Sequence, residues 1–180
     1  MAYTVFESIN MASTKGAARI YDAVATTDVE NGTFGYLNGL ATNENNTYNF
    51  VKGAATGKEI VVADNPAWDS DTCKRTNQRR DKYIIKAGER FRARVIKRGD
   101  VFGISIDGAT STTQSAMAKN AFVTIDATTG KLVAKTSTTS GAAMEGTVEG
   151  ERLMGGVIQT TAHNYGYSAK LYKVRVTTLA

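Results

Sequence analysis

Residues able to carry chemistry are few in this 180-residue chain, in which His163 is the only histidine and Cys73 the only cysteine. A hydrolytic triad needs a nucleophile, a histidine and an acid that meet in space. His163 sits in Thr161-Ala162-His163-Asn164-Tyr165-Gly166-Tyr167, which reads as a turn with nothing resembling a nucleophile elbow beside it. Structural zinc takes four ligands drawn mainly from Cys and His, and two such residues far apart do not supply them. Asp64, Asn65, Asp69 and Asp71 offer the hard oxygen ligands calcium prefers. Their spacing lacks the alternating ligands and distal Glu of a calcium loop, and Lys74, Arg75, Arg79 and Arg80 would repel a cation nearby. The glycines are spread one to a turn, and none opens a phosphate-cradling loop. The chain therefore reads as non-enzymatic, with no metal and no cofactor.

Charge is the one concentrated feature. Between Lys74 and Arg98 lie eleven basic residues against two acids, Asp81 and Glu89, so this stretch carries +9 and the rest of the chain −4, within a net +5. Arg90, Arg92 and Arg94 alternate with Phe91, Ala93 and Val95. Successive strand side chains point to opposite faces, so a strand here would place three guanidiniums on one surface and the apolar set inside. A guanidinium fork suits carboxylates or phosphates. Arg90, Arg92, Arg94, Lys74, Arg75, Arg79 and Arg80 are thus the candidate partner-binding residues, and a well-solvated outer face is the plainer alternative. Nucleic acid fits less well, because the stretch lacks the interleaved exposed aromatics of a single-strand platform.

The elements that must carry this surface are strands. Threonine, valine and tyrosine are frequent, Pro66 is the only proline, and glycine is abundant; β-branched and aromatic residues favour a pleated surface and glycine supplies the turns. Strands are predicted over 3–9, 18–24, 33–37, 48–51, 59–63, 82–86, 90–97, 101–106, 121–125, 131–135, 146–153, 155–161 and 169–177. Asn31-Gly32 and Asn38-Gly39 are expected as turns, 64–81 and 136–142 as loops, and 111–120 as a single helical turn or a loop. The fold class is all-β, a β-barrel or β-sandwich body of about ten short strands with an extended N-terminal arm. Residues 1–16 would form that strand or arm and 17–180 the body, as one lobe or as two (17–110 and 111–180). No apolar run approaches the roughly 20 residues of a membrane helix, and Met1–Asn10 lacks the pattern of a signal peptide, so synthesis in a cytoplasm is expected, with no membrane partner.

Two segments resemble passages in head decoration (cement) and capsid-accessory proteins of tailed bacteriophages. One runs from Ile20-Tyr21-Asp22-Ala23 through Asp28-Val29-Glu30-Asn31-Gly32-Thr33-Phe34-Gly35-Tyr36-Leu37-Asn38-Gly39-Leu40. The other joins Ile85-Lys86-Ala87-Gly88-Glu89-Arg90-Phe91-Arg92-Ala93-Arg94 to Arg98-Gly99-Asp100-Val101-Phe102-Gly103-Ile104-Ser105. The resemblance implies a β-tulip-like body clamped on a capsid surface in the virion, made in the host bacterial cytoplasm. Its partners would be the major capsid protein and neighbouring copies of itself, as a homo-oligomer on the shell. It implies no catalytic residues. Two rivals stand beside it: a tail-tube or head–tail connector component, and a carbohydrate- or receptor-binding β-module using Trp68, Tyr165 and Tyr167.

Overall fold

A computed structural model describes residues 3–55, 57–66, 80–154 and 169–180. Among these, eleven strands form two sheets, and the only helical pieces are single turns of 3-10 type. The chain is all-β, as its composition requires. In chain order the strands are β1 (Phe6–Asn10), β2 (Ile20–Val24), β3 (Phe34–Leu40), β4 (Thr47–Lys52), β5 (Ile60–Ala63), β6 (Arg90–Val95), β7 (Val101–Ser105), β8 (Phe122–Ile125), β9 (Leu132–Lys135), β10 (Met144–Met154) and β11 (Ala169–Leu179). Five of them close a barrel in the order β2-β4-β3-β5-β6, and the other six form an open sheet in the order β1-β7-β11-β10-β8-β9.

An odd number of strands cannot close with antiparallel pairs alone, and here β2 and β4 are the parallel pair. The barrel interior holds Ala23, Phe50, Val61, Ala63, Phe91, Ala93 and Val95, with Phe50 and Phe91 meeting edge to face at 5.3 Å. A second core lies between barrel and sheet. Phe34, Ile60, Val62 and Ile96 come to it from the barrel side, and Phe6, Phe102, Ile104, Val148, Val174 and Val176 from the sheet. Phe102 stands midway, its ring centroid 5.5 Å from those of both Phe6 and Phe34. This explains the unbroken apolar run Ile60-Val61-Val62-Ala63: β5 is buried on both faces, one in each core. Such a strand reads as a continuous run and not as an alternation.

Backbone contacts stitch the two sheets together. The Phe34 N–H at the start of β3 donates to the Gly130 carbonyl of the β8–β9 turn (2.8 Å), and at Gly53, just past β4, a Cβ would stand 1.9 Å from the Ala127 oxygen of the same turn. Gly130, at φ +69, lets the β8–β9 turn approach so closely that a Cβ there would stand 2.1 Å from the Phe34 oxygen.

Two expectations change, and one resolves. Of the strand or arm expected at the N-terminus, the strand is found: β1 pairs antiparallel with β7, almost a hundred residues on, so it belongs to its own molecule's larger sheet. Strands of that sheet come from both sides of residue 110. Asn38-Gly39 does not turn the chain; Gly39, at φ +72, sits where the β3–β4 register shifts between Leu37 and Leu40. Asn-Gly supplies positive φ equally to a bulge. Of residues 82–86 only Ile85 pairs, in an isolated bridge to Val29. The segment 111–120 contains one 3-10 turn, Gln114–Ala116. The expected strand over 155–161 lies outside the described residues, as do Trp68, Cys73, His163, Tyr165 and Tyr167.

Candidate interaction surface

The alternation of Arg90 to Val95 folds as its period demands. Phe91, Ala93 and Val95 are buried in the barrel, while Arg90 and Arg92 are exposed. The three arginines are nevertheless not equivalent. Arg90 is paired with Glu44. Arg94 is paired through Nε with Asp64, and its side chain is only 11% exposed, so it serves the fold and does not stand on an open face. Arg92 makes no ion pair among the described residues; its register partner on β2 is Asp22.

Neighbouring cations follow the same rule. Lys86 bonds Asp28 at 3.1 Å, and Lys97 bonds Glu59 at 2.9 Å. The Ala87 N–H and the Lys86 ammonium hold the Asp28 carboxyl below the usual carboxylate range, and Asp28 in turn raises Lys86. Four cations of the basic stretch, Lys86, Arg90, Arg94 and Lys97, are thus answered by acids that the fold brings in from distant positions. Lys74, Arg75 and Arg79 lie outside the described residues.

Arg92 and Arg80 meet at a cleft of about 370 Å³ between the barrel and the edge of the larger sheet. Thr4 to Ser8 form one wall; Asn31, Asp64, Asn65 and Pro66 form the other. The second wall is built by mutual amide bonds: Asn31 Nδ2 donates to the Asn65 carbonyl and the Asn65 N–H donates to Asn31 Oδ1, both at 2.8 Å. Asn65 Nδ2 also donates to the Tyr83 hydroxyl at 2.7 Å. On the first wall Glu7 accepts from Arg152 at 3.3 Å, while its other carboxylate oxygen is buried without a hydrogen-bond partner. Of the sequence-derived candidates, the structure brings Arg80 and Arg92 together and turns Arg90 and Arg94 to internal ion pairs. The β1 wall carried no signal in the sequence, because its place depends on pairing across the length of the chain.

A smaller pocket of about 200 Å³ lies against the barrel strands, lined by Tyr21, Leu37, Gly39, Tyr48, Glu59 and Val61. Tyr21 and Tyr48 meet edge to face at 5.2 Å. Ile20 and Leu40, the two exposed large hydrophobics among the described residues, lie on β2 and β3, two of the strands that contribute to this pocket. Among the described residues no group of three or more Cys, His, Asp or Glu is placed to hold a metal, and no helix is long and apolar enough to cross a membrane. No family model matches the chain, and no curated protein or solved structure is significantly similar to it.

Proposed function

We propose that the protein is a structural component of a tailed-bacteriophage virion, which binds the major capsid protein and stabilises the head shell. It works through contact area, without catalysis or a cofactor, and neighbouring copies meet one another on the shell. The observation that carries this reading is the stitching of barrel and sheet through a shared core and paired backbone groups. A body already ordered in this way loses little conformational entropy on docking, and that loss is a main cost of association. The turn-and-strand segments 20–40 and 85–105, which resemble capsid-accessory proteins, support it.

The test mixes the purified protein with expanded capsids of its own phage and images them. Regular density on the shell is the expected result. An Arg92→Glu variant should occupy fewer sites at low salt, since Arg92 lines the cleft and makes no ion pair among the described residues, and complementary charge steers docking. Bare shells at saturating protein would overturn the reading. The Tyr21–Tyr48 pair in the smaller pocket favours a second reading, a carbohydrate-binding module, because aromatic rings present flat apolar faces with polar tips. A glycan array that detects binding lost in Tyr48→Ala would establish that alternative.

A further inference from the structure

Among the described residues, the order of the larger sheet leaves the outer side of β1 without a strand. Which backbone groups point there follows from the ladder. Ser105 donates its N–H to the Val5 carbonyl at 2.9 Å, so Val5 and Ser105 form a hydrogen-bonded pair. Such pairs alternate along antiparallel strands, which makes Glu7 and Gly103 the next one and turns the N–H and C=O of Phe6 and Ser8 away from β7. They face the cleft, whose wall includes both residues. At one end this edge is already closed, because the Thr4 N–H and hydroxyl donate to the Glu30 carboxylate at 2.9 and 2.6 Å. At the other end the register shift between Ser8 and Asn10 breaks the ladder. What remains open is a short, polar, well-bounded stretch of strand edge.

Two features of the cleft say what fits it. Its acids are each matched by a cation from the same chain, Asp64 by Arg94 and Glu7 by Arg152. Arg92 has no such match among the described residues and stands exposed on the barrel wall. We propose that the outer edge of β1 receives an extended segment of another protein chain, which adds as a seventh strand and places a carboxylate against Arg92. Main-chain bonds to Phe6 and Ser8 hold such a segment, and side-chain contacts select it. The N-terminal strand therefore accepts a partner's strand and does not donate itself to one. This stands on the sheet edge and its charge, and it does not need the capsid reading.

The experiment pans a displayed library of random dodecapeptides against the full-length protein, then measures the enriched peptides on three proteins. Enriched sequences should alternate apolar and polar residues and carry Asp or Glu. In wild type their binding should shift the Phe6 and Ser8 amide resonances. Affinity should fall about tenfold in Arg92→Ser and again in Ser8→Pro, each losing roughly one charge-assisted or main-chain bond. Ser8→Pro removes only an outward N–H, the position where an edge strand tolerates proline; if it nevertheless unfolds, Arg92→Ser and the amide shifts decide alone. Failure to enrich any peptide would overturn the proposal. So would peptides whose affinity ignores Arg92→Ser and whose binding leaves Phe6 and Ser8 unmoved. Self-association that Ser8→Pro abolishes would assign the edge to a second copy and overturn the foreign partner.

Discussion

Replacing Gly130 by alanine attacks the seam between barrel and sheet without touching either core. Two costs add. At φ +69 an L-residue pays about 1 kcal/mol for the left-handed backbone. The new Cβ would also lie 2.1 Å from the Phe34 carbonyl and 3.1 Å from the Gly53 nitrogen. Backbone cannot swing aside as a side chain does, so the turn must retreat and stretch the Phe34–Gly130 bond. Phe34 is fully buried, so water does not readily replace its lost partner, and a buried group left unsatisfied costs about 1–3 kcal/mol. The sum is about 3 kcal/mol, a large part of a typical domain's stability. For a chain of this length it lowers Tm by about 6–12 °C.

Gly88 provides the control. It also has a positive φ, +78, but a Cβ there meets nothing within 4 Å. Gly88→Ala should therefore cost only the backbone part, about 1 kcal/mol. Urea and thermal unfolding followed by far-ultraviolet circular dichroism would compare both variants with wild type. The seam is worth the difference, about 2 kcal/mol. Equal losses for Gly130→Ala and Gly88→Ala would refute the argument, because the close approach would then carry no energy.

Other perturbations test other joints. Phe102→Ala should cost about 3–5 kcal/mol in the same unfolding assay, since it empties the space between Phe6 and Phe34 in a core that cannot fully collapse. Arg94→Ala should cost about 2 kcal/mol by leaving Asp64 largely buried and unpaired, whereas Arg90→Ala, at an exposed pair, should cost less than about 1 kcal/mol; equal effects would return Arg94 to the surface. Hydrogen bonds from Arg175 and then Lys173 hold the Glu149 carboxyl below its usual range. Its small contribution is therefore complete above the ordinary glutamate range and is lost as pH falls through the lowered value. Denaturation of Glu149→Gln across the acid range should converge on wild type at the lowest pH, and a gap that persists there would contradict the assignment.

Local pattern made most strands legible. Arg90 to Val95 alternates because one face fills the barrel, and Phe122–Ile125 with Leu132–Lys135 is a hairpin around a glycine turn. Pairing was not legible. β1 joins β7, and β3 lies between β4 and β5 although β4 and β5 are adjacent in sequence. Period two says which way a side chain points and nothing about which distant strand lies beside it. Asn38-Gly39 misled for a related reason, since positive φ serves a bulge and a turn alike and only the neighbouring strand decides between them. The candidate site shares this character. Its arginine could be read from the sequence, but its facing wall is the outer edge of β1, placed there by a partner strand almost a hundred residues away.

The fate of the basic stretch shows why a linear charge count misjudges a folded surface. Its +9 invites an electrostatic docking face, yet Asp28, Glu44, Glu59 and Asp64, all outside the stretch, each take one of its cations. Antiparallel pairing of β6 with β5 brings Glu59 and Asp64, at the two ends of β5, alongside, and opposite charges across neighbouring strands support the register. Recognition is then left to what folding does not neutralise, and at the cleft that is Arg92 beside a short run of unpaired backbone. Charge at such a point selects among partners, while main-chain bonds along the edge supply the hold, so salt should weaken the choice of segment more than the capacity to bind one.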